Sequence, residues 1–291
     1  MKSFISLICF ILFIGIATAQ ENKVNVIVIG AHPDDPDSRA GGTAILWAKM
    51  GYNVMFVALT NGDAGHQNKG GGALAKIRRA EAAEAGKRYG IKKYITLDNH
   101  DGELLPTLEN RLKVIRLIRE WNADVVIGPR PNDYHPDHRY TGVLLQDAAY
   151  MVIVPNIAPD TPPLKRNPVF LYAQDRFQKP NPFTPDIAVD VSDVFEQKIY
   201  AMSAHESQYF EWLPWAGRRL DEVPEDDDER LKWLAKVRYG SISDAVRESL
   251  IKWYGAEKAK TVTNAEAFEI CEYGRRPSEE EIRQFFPMLG N

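Results

Sequence analysis

Residues 24–35, Val24-Asn25-Val26-Ile27-Val28-Ile29-Gly30-Ala31-His32-Pro33-Asp34-Asp35, decide how the chain is read. The first seven are short, rich in β-branched side chains and closed by glycine, which suits a strand buried on both faces of a parallel sheet. His32, Asp34 and Asp35 then stand at that strand's carboxyl end. A second run of the same character, Asp124-Val125-Val126-Ile127-Gly128, leads through a short polar loop into His135-Pro136-Asp137-His138. One His-Pro-Asp is ordinary turn chemistry. Two of them, each at the end of an apolar strand and each carrying more His and Asp than a turn needs, mark a site.

Between and around these runs the pattern alternates. Residues 41–50, 73–89 and 108–122 have helical character, and residues 52–59 and 94–97 read as strands. This order predicts an α/β fold, a Rossmann-like, mostly parallel sheet flanked by helices. Open sheets of that kind bind ligands beyond the carboxyl ends of their strands, so both motifs should face one cleft. Neither Gly-x-Gly-x-x-Gly nor Gly-Lys-Ser/Thr occurs, so nucleotide binding has no support in the sequence.

Imidazole and carboxylate are ligands that zinc favours, and a catalytic zinc takes three protein ligands and keeps a fourth position open. Two histidines and an aspartate from these motifs meet that requirement. Amide hydrolysis further needs a base for the attacking water, a partner for the tetrahedral oxyanion and a proton for the departing amine. Asp34, beside the ligating Asp35, suits the first task. His135 faces the same cavity and suits the second, with Asp137 placed to fix its tautomer and raise its pKa.

The motifs resemble those of the LmbE-like (PIG-L) zinc deacetylases, which remove acetyl groups from N-acetylglucosamine-type sugars. The resemblance spans residues 24–205: Ala31 to Asp35 match the first family motif, His135 to His138 the second, and Ile77-Arg78-Arg79-Ala80-Glu81 the Arg-x-x-Glu helix. It implies that His32, Asp35 and His138 bind Zn2+, with Fe2+ and Co2+ as competing metals. It also implies that Asp34 is the general base, that His135 supports the oxyanion and that Arg78 contacts the sugar. Lys198 and His205-Glu206-Ser207-Gln208 match a further family segment, which would set His205 near substrate. One departure stands out: many members continue the first motif with glutamate, where this chain has Pro36 and Asp37.

Composition bounds the remainder. With 291 residues, 44% of them hydrophobic, the chain can bury a full core. Lys2, the apolar stretch 4–17 and Ala17-Thr18-Ala19-Gln20 read as a signal peptide cleaved after Ala19, too short in its apolar part to span a bilayer. The expectation is a chain exported to a bacterial periplasm, with no membrane span after cleavage. Cys9 lies inside the apolar stretch, not at its end, which argues against a lipid anchor there. Loss of Lys2 leaves 35 basic and 40 acidic side chains, a formal −5 and the wrong sign for a nucleic-acid partner. Cys271 is then the sole cysteine and reads as an inert buried thiol.

The loop 60–72 carries Asn61, Asp63, His66 and three consecutive glycines, a candidate lid. Asp63, close to the end of the second strand, is assigned to substrate; His66 is read as solvent-exposed. Eight prolines between Pro155 and Pro185 mark an irregular excursion over the sheet edge. Tyr209, Phe210, Trp212 and Trp215 read as a packing patch, although aromatic faces also stack on sugars. The expected organisation is a signal peptide at 1–19, a catalytic domain at 20–220 and a helical C-terminal extension at 221–291 packed on it. The expected activity is zinc-dependent removal of an N-acetyl group from a small amino sugar or glycoconjugate. The alternatives are a zinc amidase for a larger N-acyl or thiol conjugate, and a sugar-binding protein without turnover.

Overall fold

The computed structural model describes residues 23–290. The expected signal peptide and Cys9 lie outside the described residues. In chain order the strands are β1 (Asn25–Gly30), β2 (Asn53–Thr60), β3 (Lys93–Asn99), β4 (Val125–Gly128), β5 (Val169–Ala173), β6 (Ile187–Asp190) and β7 (Ala265–Ile270). The helices are α1 (Asp35–Lys49), α2 (Gly71–Tyr89), α3 (Leu108–Glu120), α4 (Pro136–Met151), α5 (Phe195–Met202), α6 (Leu213–Ala216), α7 (Asp227–Arg238), α8 (Asp244–Tyr254), α9 (Ala256–Thr261) and α10 (Glu279–Phe285).

The strands form one sheet in the order β3-β2-β1-β4-β5-β7-β6. Alternate residues of β1 feed opposite layers, as a period of two requires. Val26 and Val28 pack with Ala44, Trp47 and Tyr89 on one face, and Ile27 and Ile29 with Ile115, Ile118 and Leu144 on the other. Strands buried on both faces explain the continuous apolar runs. From β1 the chain moves outward to β2 and β3, and from β4 in the opposite direction to β5. The order therefore switches between β1 and β4, and both His-Pro-Asp motifs follow the carboxyl ends of those two strands.

Residues 221–290 carry helices α7 to α10, as a helical extension requires, and depart from it at one element. Ala265–Ile270 is a strand, inserted antiparallel between β5 and β6. Its Ala-Glu-Ala-Phe-Glu-Ile sequence favours helix locally, but the gap between two strands offers both rows of ladder partners, and tertiary pairing overrides propensity.

Glu266 of β7 ties this strand to α1. That helix is broken at Ala40 (φ −140°, ψ 15°). The amides of Gly42 and Thr43 donate instead to the Glu266 carboxylate, each at 2.8 Å, and the Thr43 hydroxyl donates at 2.6 Å. Lys198 Nζ, 2.7 Å away, balances the charge and also donates to the Ser38 carbonyl. A buried carboxylate thus caps the second half of α1 from across the sheet.

The proline-rich excursion is held by Arg130, whose guanidinium forks onto Asp175 and donates to the carbonyls of Phe177 and Asn181. Cys271 is buried against the Tyr172 hydroxyl. No described helix is long and apolar enough to cross a membrane.

Removing one partner of a buried, fully bonded charge strands the others, so Glu266→Ala should lower unfolding free energy by about 3–5 kcal/mol. Denaturant titration at constant slope measures this. A midpoint indistinguishable from the parent would show that the cap is not needed.

Candidate active site

The turn after β1 builds the first half of the site. Asp35 folds back so that its Oδ2 accepts the amides of Ala31 (3.0 Å) and His32 (2.8 Å), and Pro36 then starts α1. The second half begins at β4, where His135 caps α4: its Nδ1 accepts the Asp137 amide at 3.2 Å. One helical turn later His138 reaches back across the switch point.

The two halves meet closely. His32 Nδ1 lies 3.1 Å from His138 Nε2, His138 Nε2 lies 3.3 Å from Asp35 Oδ2, and His32 Nδ1 lies 3.4 Å from the same oxygen. Donors about 2.0–2.1 Å from a central zinc in a tetrahedron are separated by about 3.3 Å. The three expected ligands therefore already stand at that spacing. Two other groups of donor atoms lie within 4.8 Å of one another, His32 with His135 and His138, and His32 with Asp101 and Asp137. Both share His32, but Asp101 and Asp137 meet its Nε2, the side of the ring away from the Nδ1 that faces Asp35 and His138.

The far nitrogens of the histidines are oriented by carboxylates. His138 Nδ1 pairs with Asp133 Oδ1 at 3.0 Å, and His32 Nε2 lies 2.9 Å from Asp101 Oδ1 and 3.4 Å from Asp137 Oδ2. Carboxylates behind histidines in this way fix ring orientation and raise ligand basicity. Burial opposes charge on His138, yet Asp35 and Asp133 outweigh it and push its imidazole up to about 9. Burial likewise opposes charge on His32, and Asp101, Asp137 and Asp35 overcome it. A cluster that holds protons on buried imidazoles suits a cation at their centre, so the donor set fits a metal in both spacing and charge.

Asp34 is buried beside this trio. Burial, with the charge of Asp35, pushes its carboxyl up. Gln208 Nε2 donates to its Oδ2 at 3.2 Å. Gln208 belongs to a π-helical turn, Ser207–Trp212, whose first residue is gripped by Glu81: the Ser207 amide and hydroxyl donate to the Glu81 carboxylate at 2.8 and 2.7 Å. The Arg-x-x-Glu helix and the His-x-Ser-Gln segment are thus one structural unit.

Several sequence assignments shift. Asp137 does not orient His135 through its carboxylate: that group accepts the amides of Gly102 (2.7 Å) and Leu104 (3.2 Å) and faces His32. The tautomer of His135 is set by the Asp137 backbone amide, which leaves the proton on Nε2. Burial, with His32 and His138 nearby, lowers the His135 pKa, the opposite of the expected rise. Asp63, His205 and Arg78, all assigned to substrate, are buried and bonded internally. Asp63 accepts the Asp101 amide (3.1 Å) and pairs with His100 (2.6 Å), so it holds the loop that carries Asp101. His205 pairs with Asp37 at 3.0 Å, and Tyr94 donates to the other oxygen of Asp37 at 2.6 Å. The acidic residue displaced to position 37 therefore anchors the His205 segment. Arg78 donates to the Gly65 carbonyl (2.7 Å) beneath the glycine-rich loop, with Asp34, Glu81 and Asp101 within electrostatic reach.

His66 is not exposed; it and Lys69 pair with Glu211, pinning the loop 60–72 to the π-helical turn. Tyr209 and Phe210 are packed in the core, while Trp212 stacks on Trp215 at 5.3 Å and Trp215 is half exposed. Asp101, Asp133 and Gln208 were not singled out in the sequence, although Asp133 lies only two residues before the second motif and Gln208 ends the His-x-Ser-Gln match.

The family model described as "PIG-L: GlcNAc-PI de-N-acetylase" matches residues 27–149, which contain both motifs. A diacetylchitobiose deacetylase from Thermococcus kodakarensis is 34% identical over 199 residues, 65% of this chain and 73% of the relative. The solved structure of N,N'-diacetylchitobiose deacetylase from Pyrococcus horikoshii superposes with a TM-score of 0.64 at 26% identity, over 88% of each chain. A 4-oxalmesaconate hydratase from Pseudomonas putida is 24% identical over 65% of this chain and 75% of its own. The motifs, the sheet and these similarities agree: the chain belongs to the PIG-L (LmbE-like) family.

Proposed function

We propose that this chain is a metal-dependent hydrolase, with zinc as its metal, that removes an acetyl group from the nitrogen of an amino sugar or its conjugate. The observation that carries the reading is the trio His32, Asp35 and His138, spaced as a tetrahedral site requires, with a second, unligated carboxylate beside it. The deacetylase relatives support the reaction class and the N-acetylated sugar as substrate.

When bound, the metal acidifies a water and polarises the amide carbonyl. Asp34 accepts the proton of the attacking water; the Gln208 bond to Oδ2 fixes the carboxylate so that Oδ1 is presented to it. His135, with its proton on Nε2, donates a hydrogen bond to the oxygen that gains negative charge. The C–N bond then breaks and the proton held by Asp34 passes to the nitrogen, leaving acetate and a free amine. Mere binding requires no base beside the ligands, which weighs against a sugar-binding protein without turnover. We also infer export through the apolar segment that ends at Ala17-Thr18-Ala19, for which the sequence is the support.

Acetate release from N-acetylglucosamine and diacetylchitobiose by the zinc-loaded chain is the direct test. Asp34→Asn should lower turnover by about 10²–10⁴-fold while zinc stays bound. Full activity in that variant would remove Asp34 from its role. No release from any N-acetylated sugar, with hydration of an unsaturated dicarboxylic acid instead, would favour the chemistry of the hydratase relative.

Asp133→Asn leaves all three ligands in place but removes the negative charge behind His138. Metal affinity should fall about 10–100-fold, measured by competition with a chromogenic chelator. Unchanged affinity would mean that His138 needs no such support. The exported product should begin at Gln20, and amino-terminal sequencing that finds Met1 would refute cleavage.

A further inference from the structure

A cleft of about 530 Å³ opens at the carboxyl ends of β5 and β6, beside the His138 side of the site. Its size falls in the ~300–1,000 Å³ range of small-molecule sites. Tyr134 joins it to the reacting centre: the ring lines the cleft and lies 5.6 Å from the His138 ring and 5.8 Å from the His135 ring. Arg39 and Ser38, just after the first motif, form the adjoining wall, and residues 238–242 of the C-terminal region form the far one.

The cleft's charges do not cancel. Its two carboxylates are both committed, Asp175 to Arg130 and Glu266 to Lys198 and the broken helix. Arg39 donates to the Gln174 carbonyl and comes only within 4.0 Å of Asp133, which is itself engaged by His138. Arg176 is exposed and, among the described residues, its guanidinium makes no ion pair or hydrogen bond; only its backbone carbonyl is engaged, by Gln178 Nε2. Arg238 stands over the Tyr209 ring, its guanidinium carbon 4.7 Å from the centroid, with its Nε buried and without a hydrogen-bond partner. Three guanidinium groups from three separate elements therefore converge on one cavity, Arg176 with no carboxylate partner and Arg39 and Arg238 with only a distant one, Asp133 and Asp34. A chain with net negative charge has acids to spare for them, and none is placed there.

We propose that this cleft is a subsite for an acidic group, carboxylate or phosphate, carried by the amino-sugar conjugate whose N-acetyl group reaches the metal. Guanidinium forks match both oxyanions bidentately, and the partly enclosed wall strengthens such charge-assisted bonds. The inference rests on the deacetylase reading for the sugar, while the anion preference rests on the cleft alone.

Binding of the deacetylated products separates the two. Titration calorimetry on the zinc-loaded chain compares glucosamine, glucosamine 1-phosphate, glucosamine 6-phosphate and muramic acid. At least one acidic amine should bind tenfold or more tighter than glucosamine; a gain confined to the phosphates or to muramic acid says which oxyanion the site takes. Arg176→Glu, at an exposed position, should abolish that gain and leave both glucosamine affinity and acetate release from N-acetylglucosamine unchanged. Arg39→Gln should reduce the gain in part. Equal binding of all four amines overturns the proposal, as does an Arg176→Glu variant that weakens neutral and acidic ligands alike. Tighter acidic binding without acetate release from any N-acetylated form would leave the subsite standing and remove the deacetylase reading.

Discussion

The site depends on how sharply the chain turns between β1 and α1. A Cβ at Gly30 would lie 2.4 Å from the Asp35 Cβ and 2.7 Å from the Pro36 Cδ, so only glycine lets the backbone close this far. The Asp35 carboxylate then seals the turn by accepting the two amides that follow the strand. One side chain thereby serves two ends. It fixes the path of residues 31–35 and presents the same oxygen toward His32 and His138. Asp34 and Asp35, adjacent in sequence, are parted by the start of α1, which is why one sits beside the trio and the other within it.

Around that turn the structure is a set of carboxylates that each accept a loop amide and also lie against a histidine or the residue that does. Asp137 accepts the amides of Gly102 and Leu104 and faces His32. Asp63 accepts the amide of Asp101, whose own carboxylate lies against His32. Asp133 accepts the His135 amide and pairs with His138. Bonds of this kind raise the cost of moving any one loop, because each displaced amide would leave a buried acceptor unsatisfied. The rigidity that keeps these donors near 3.3 Å apart thus comes from the second tier of acids, not from the trio itself.

Much of this was readable in the chain. The parallel strands announce themselves because burial on both faces demands unbroken β-branched runs, and the motifs are legible because they begin where those runs stop. Asp101 and Asp133 were not, since a loop acid has no periodicity and its partner is named only by the fold. Buried roles for Asp63 and His205 were hidden for a related reason: nothing in a sequence distinguishes a polar side chain that faces a cleft from one that holds the cleft's wall. β7 was misread because Ala-Glu-Ala-Phe-Glu-Ile has the composition of a helix. Its Glu266, in the middle of a buried ladder, is intelligible only once the break at Ala40 supplies two free amides.

That strand also changes what the C-terminal region does. Because β7 lies between β5 and β6, residues 238–266 are drawn to the same sheet edge as the two His-Pro-Asp motifs, although the family model ends at residue 149. The reaction centre and the cleft beside it therefore come from different parts of the chain: the donors from β1, β4 and the turns after them, and the cleft's far wall from α7 and the segment that follows. Changes in that wall should leave the spacing of His32, Asp35 and His138 intact, since no side chain in residues 238–242 bonds to them. Substrate choice can then diverge while the hydrolytic geometry stays fixed, the division expected when a rigid sheet edge holds the chemistry and peripheral segments meet the rest of the ligand.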